Sequence, residues 1–97
     1  MATYVTMINW TDQGIKKFSD TTQRAQDFAE AVAKEGGRLR EIVWTLGDYD
    51  IVVIFDAPDD ETATTSLLRV SSLGNVRTKT MRGFTSAEMD GIIKRAG

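Results

Sequence analysis

The chain has 97 residues, a net charge of −2, 41% hydrophobic and 27% charged side chains, and neither cysteine nor histidine. That length predicts one domain over residues 1–97, which buries roughly 60–70% of its unfolded surface and gains from a partner. The composition excludes thiol nucleophiles, imidazole general bases, disulfides and the usual zinc sites.

Residues 3–10 are β-branched, aromatic and apolar, and predict a first strand. Thr11-Asp12 opens a helix whose apolar positions, Ile15, Phe18, Thr22, Ala25, Ala29 and Val32 with Phe28 beside them, recur at spacings of three and four. That is one buried stripe on an amphipathic helix. Asp20–Arg24 and Glu30–Lys34 add i,i+4 pairs on its wet side. Gly36-Gly37 stops it. Residues 38–46 and 49–56 then read as two strands of a hairpin. Pro58-Asp59 ends the second of them, with Asp59 as the N-cap of a helix over about 60–73. Ala63, Leu67 and Val70 make its inner stripe. It is rich in Thr and Ser, so packing must hold it. Gly74-Asn75 terminates it, 76–85 predicts a fourth strand, and Thr85-Ser86-Ala87-Glu88 is a capping box for a short last helix carrying Met89, Ile92 and Ile93. The order β-α-β-β-α-β, with an extra C-terminal helix, is the ferredoxin-like α+β arrangement.

The hairpin is the most informative stretch. Gly47-Asp48 lies between apolar runs, and Gly in the first place of a two-residue turn favours positive φ there. Such a turn pairs Leu46 with Tyr49. It puts Ile42, Trp44, Ile51, Val53 and Phe55 on one face, which should meet the helices. Val43, Val52 and Ile54 fall on the other face, mixed with Glu41, Thr45 and Asp50. Exposed, that second face would be a sizeable apolar patch, so a second copy packed back to back is the expected cover. The alternative is an ordinary antiparallel sheet with one half-wet face.

The 12 basic residues are scattered. This argues against a nucleic-acid surface and against a polybasic membrane patch. Nothing approaches the ~20 apolar residues of a membrane-spanning helix, and the first residues lack signal-peptide character. The expectation is a complete, cytoplasmic protein that holds no cofactor or metal.

With the strands alternating in direction, one rim of the sheet gathers Trp10, Thr45, Asp50, Arg77 and Thr78. Aromatic, acid, base and hydroxyl groups together are what small ligands use. Asp50 is the one candidate general base, should burial raise its pKa; the alternative is a hydrogen-bond acceptor at the rim or an ion pair with Arg77. Tyr49 could stack on a ligand or pack opposite Leu46. Trp44 is expected in the core, and Lys79 on a solvated edge. Asp59, Asp60 and Glu61 fit capping and the helix dipole better than metal binding.

Taken in order, Tyr4-Val5, Trp10-Thr11-Asp12-Gln13-Gly14-Ile15, Gly36-Gly37, Gly47-Asp48-Tyr49-Asp50, Pro58-Asp59-Asp60 and Gly74-Asn75-Val76-Arg77-Thr78 resemble the GYD-domain family of small bacterial and archaeal proteins, over essentially the whole chain. The family is named for its Gly-x-Tyr-Asp motif, here Gly47, Tyr49 and Asp50. The resemblance implies a dimeric α/β barrel built from ferredoxin-like halves, and no assigned biochemical function. Three functions are expected to compete. One is a homodimer that binds or senses a small, partly apolar ligand between its sheets. Another is a cofactor-free enzyme using Asp50 to move a proton. The third is a structural subunit of a larger assembly.

Overall fold

The computed structural model describes residues 1–97. Strand β1 (Ala2–Trp10) is followed by a short helix α1 (Asp12–Lys16), a 3-10 turn at Phe18–Asp20 and helix α2 (Thr21–Lys34). Strands β2 (Arg38–Trp44) and β3 (Ile51–Ala57) lead to helix α3 (Asp60–Ser72), strand β4 (Val76–Gly83) and helix α4 (Ser86–Ala96). The four strands form one antiparallel sheet in the order β2-β3-β1-β4. This is the expected ferredoxin-like connectivity.

The two faces divide as the hairpin register requires. Ile51, Val53 and Phe55 are buried beneath the helices, while Val52 and Ile54 on the opposite face are only half-buried. Trp44 pairs with Ile51 and Val43 with Val52, the phase expected of the hairpin, but the strands stop there. Thr45 to Asp50 form a loop closed by Thr45 N–H donating to Asp50 O at 2.8 Å, and the expected Leu46–Tyr49 pair does not form. Further down, the pairing shifts between Leu39 and Glu41, so Arg40 forms a bulge. The bulge keeps both Leu39 and Ile42 on the core face, which strict alternation would not allow. Phe55 anchors the core: Tyr4 stacks on it at 5.4 Å and Phe28 meets it edge-on at 5.7 Å. Each such buried ring or branched side chain contributes about 1.5–3 kcal/mol.

The single helix expected from Thr11 to Gly36 is broken. α1 ends at Lys16, with Lys17 as its C-cap, and α2 starts afresh at Thr21. Ile15 and Phe18 are consequently exposed rather than part of the buried stripe, which is carried by Ala25, Phe28 and Val32. Arg24 explains the break. Its guanidinium donates to the carbonyls of Gly14 and Lys17, satisfying the end of α1 instead of pairing with Asp20. Glu30 and Lys34 form no ion pair either; the four ion pairs present involve Arg38, Arg40, Arg69 and Arg82.

α3 and α4 follow their caps. The Asp59 carboxylate accepts the N–H of Thr62, and those hydrogen bonds hold its carboxyl below the usual range. Thr64 and Thr65 return their hydroxyls to carbonyls one turn back, which absorbs polar groups that α3 could not otherwise use. Thr85 and Glu88 complete the capping box at α4. That helix buries none of its residues. It projects from the body, and the molecule extends 50 × 31 × 17 Å.

Candidate functional site

The sequence-predicted rim exists, but the sheet divides it. Trp10 and Thr78 belong to the helix-covered side; Thr45, Asp50 and Arg77 belong to the open side. The register shows why: Trp10 pairs with Val76, Asn9 with Arg77 and Ile8 with Thr78, so neighbours along β1 and β4 alternate in face.

On the open side, the Gly-Asp-Tyr-Asp segment is tied down by hydrogen bonds from both neighbouring strands. Gly47 has φ +108°. Asn9 Nδ2 donates to the carbonyl of Asp48 at 2.8 Å, and Thr45 Oγ1 donates to the carbonyl of Tyr49 at 2.6 Å. Asp50 makes the last rung of the β1–β3 ladder. Its backbone N–H donates to Ile8 O at 2.9 Å, and its carboxylate Oδ2 accepts the N–H of Trp10 at 2.9 Å. The carboxylate thus serves a strand end that has run out of partner backbone. Arg77 is exposed and does not pair with Asp50.

Two aromatic expectations need correction. Leu46 is fully exposed, so Tyr49 has no packing partner there; its ring instead lies 5.7 Å from Lys79 Nζ, across the sheet. The tip turns beyond the last paired residues, which frees both side chains from the strand alternation. Trp44 is 40% exposed at the sheet edge rather than in the core, with Nε1 donating to Thr21 Oγ1 at 3.0 Å. β2 is an edge strand, so only one side of its indole finds neighbours.

Below this rim, the open face is apolar at its centre, on β3 and β1, with one charged residue at an edge of each row. Val43, Val52 and Met7 lie side by side, ending in Lys79 on β4. The next row runs Glu41, Ile54, Val5 and Met81. At the lower end, a groove of about 510 Å³ lies between this face and the start of α4, lined by Val5, Ile54, Phe84 and Thr85 among others. Beside it sits a cluster that sequence reasoning missed. Asp56 is buried, accepts Thr3 Oγ1 at 2.8 Å, and lies 3.4 Å from Arg38 and 3.7 Å from Arg40. An acid following an apolar run, with two arginines at alternate positions of the preceding strand, was the available signal.

On the helix side, Trp10 and Thr78 line a small apolar cavity of about 40 Å³ between the sheet and α2 and α3. The Trp10 Nε1–H is shielded from solvent and has no acceptor. Around Trp10 the family-like segments interlock. Thr11 donates its backbone N–H to Asn75 O at 3.1 Å and its hydroxyl to Gly74 O at 2.5 Å, and Gln13 Nε2 donates to Leu73 O and Asn75 Oδ1. Gly14 allows this contact: a Cβ there would stand 2.0 Å from Asn75 O.

Comparison with known proteins agrees with this architecture. Residues 4–93 match the family described as GYD domain. The chain is 25% identical over 95 residues to the glutamine synthetase and cystathionine beta-lyase binding protein of Thermus thermophilus, covering 97% of this chain and all of that one. A crystal structure of a Thermus thermophilus protein, 25% identical, superimposes with a TM-score of 0.57 over 89% of this chain and 96% of the other. A putative chlorite dismutase shares the fold with a TM-score of 0.56 at 12% identity, over 95% of this chain and 48% of its own.

Proposed function

The chain belongs to the GYD domain family, and from that premise we propose that it is a regulatory binding protein that works as a homodimer, its two sheets packed back to back. One observation supports this reading: the sheet face away from the helices carries three apolar residues in each of two rows, Val43, Val52 and Met7, then Ile54, Val5 and Met81, and only Phe84 and the start of α4 approach it. Val43 and Met81 on its flanks are 45% and 52% exposed. A second copy would remove that surface from water at roughly 25 cal/mol per Å² of apolar area, before the cost of association.

Pairing would also bring two rims together. Thr45, Asp50 and Arg77 would then line the space between the sheets, where a small, partly apolar ligand could be held; Trp10 and Thr78 face the helices and stay outside it. The relative named for binding glutamine synthetase and cystathionine beta-lyase supports a role in docking on another protein, an enzyme in that case. A binding role asks only for surface. Catalysis would ask Asp50 for a free carboxylate, whereas one of its oxygens holds the strand end.

Val52→Asp tests the pairing. In a dimer it places an unpaired charge at the centre of the interface, costing several kcal/mol. Sedimentation at micromolar concentration should show a dimer for the natural chain and a folded monomer for the variant. A natural chain that sediments as a folded monomer would overturn the proposal.

A further inference from the structure

Between the helices and the sheet, on the side away from the proposed pairing surface, three observations converge on one place. A cavity of about 40 Å³ is walled by Thr6, Ile8, Trp10, Val53 and Thr78 on the sheet side and by Phe28 and Val70 on the helices. A groove of about 350 Å³ between α2 and α3 shares Arg24, Phe28, Val70 and Val76 with it, so the cavity lies directly beneath the groove. Trp10, one of the wall residues, carries the only buried side-chain donor or acceptor of the chain left without a partner, its Nε1.

A buried N–H without an acceptor is rare in folded proteins, because its lost hydration is not repaid. The indole is a donor only. What satisfies it must therefore bring a lone pair. The walls determine the rest of the molecule: next to Trp10 they are almost wholly apolar, and the cavity admits only a few heavy atoms. Arg24 keeps its charge, but its guanidinium is held at the end of α1 by the carbonyls of Gly14 and Lys17. Arg69, in the groove, is paired with Glu35. Burying an ionised head group among these apolar walls would carry a heavy cost in lost hydration.

We propose that this site binds a slender, uncharged, mainly apolar molecule whose carbonyl-type oxygen accepts the Trp10 Nε1–H in the cavity while its apolar tail lies in the groove between α2 and α3. The acceptor gives orientation and the tail gives affinity, the usual division of labour in small-molecule sites. Val70 stands where head and tail meet.

2-Heptanone is a suitable probe. In the Trp44→Phe variant, Trp10 gives a single indole N–H signal by NMR. Titration should move that signal downfield and saturably, with the same dissociation constant as the methyl shifts of Val53 and Val70. Trp10→Phe should keep the methyl shifts but weaken binding roughly three- to tenfold, the worth of one hydrogen bond. Val70→Phe should block the site and abolish the shifts. If the methyls respond while the indole N–H does not, the assigned acceptor role is wrong. An indole N–H in the free protein that shows a cross-relaxation peak to a bound water overturns it too. Should Val70→Phe fail to fold, the Trp10→Phe comparison still decides. Val52→Asp tests the other face of the sheet, so the two proposals fail separately.

Discussion

Individual side chains in this protein are used mostly to finish elements. Asp50 completes a strand end, Arg24 a helix end and Asp59 a helix start. Tyr4 is different, because it is buried and titratable at once. Its hydroxyl donates to Asp60 Oδ1 at 2.5 Å, and Arg82 lies 5.8 Å from its ring. Burial first, and then the hydrogen bond to Asp60, push its phenol up to about 12. An unfolded tyrosine ionises near pH 10, about two units earlier. Between those values the unfolded chain has released a proton that the folded chain retains. Stability from this group is therefore intact below pH 10 and falls as pH rises towards 12. Urea denaturation across pH 9–12 should show that decline, and Tyr4→Phe should flatten it.

At the scale of elements, the hairpin tip is where local chemistry acts alone. Gly47 has a positive φ, and no atom lies within 4 Å of where its Cβ would be. A larger residue there meets only backbone strain, with no steric clash. Gly47→Val should therefore destabilise by about 1–3 kcal/mol. Urea denaturation checks the magnitude, and amide exchange should show lost protection first at Thr45, whose N–H donates to Asp50 O across the loop. The interrupted α1–α2 segment makes the opposite point. Its apolar spacing is continuous through Ile15, Phe18 and Thr22, yet the chain breaks there. Periodicity reports which side chains could share a face, but it does not register that Gly14 must press against Asn75 O or that Arg24 must reach back to Gly14 and Lys17.

Viewed whole, the molecule is extended for its size. Its radius of gyration is 14.4 Å, against about 12.5 Å expected for a compact chain of this length. α4 is the reason. It is capped within its own first turn and tethered to the body by Arg82 and Glu88 at 3.9 Å, yet it leaves Met89 and Ile93 exposed. The body leaves the apolar residues of this amphipathic helix uncovered, and the second copy proposed above would supply a surface for them. Removing residues 86–97 should leave thermal unfolding of the four-stranded body shifted by only a few degrees. The same truncation should weaken self-association measured by sedimentation, because the helix starts beside the groove that opens on the apolar sheet face. A large loss of body stability would mean that α4 serves the fold and not the assembly.

Element order, hairpin register, the two sheet faces and the caps at Asp59 and Thr85 were legible in the residues, because each depends on neighbours a few positions apart. Alternation decides a strand's faces, and a side-chain oxygen decides where a helix starts. The candidate site was legible only as a rim. Trp10, Thr45, Asp50, Arg77 and Thr78 do come to one end of the sheet, but which of them share a side depends on the pairing of β1 with β4 across some seventy residues, as in the partnership of Ile8 with Thr78. The bulge at Arg40, the Asp56 cluster, the wandering of Tyr49 to Lys79 and the unpartnered indole of Trp10 were decided by tertiary structure alone. Each arises where two distant segments compete for the same space or the same hydrogen bond, and that competition is settled only when the layers pack.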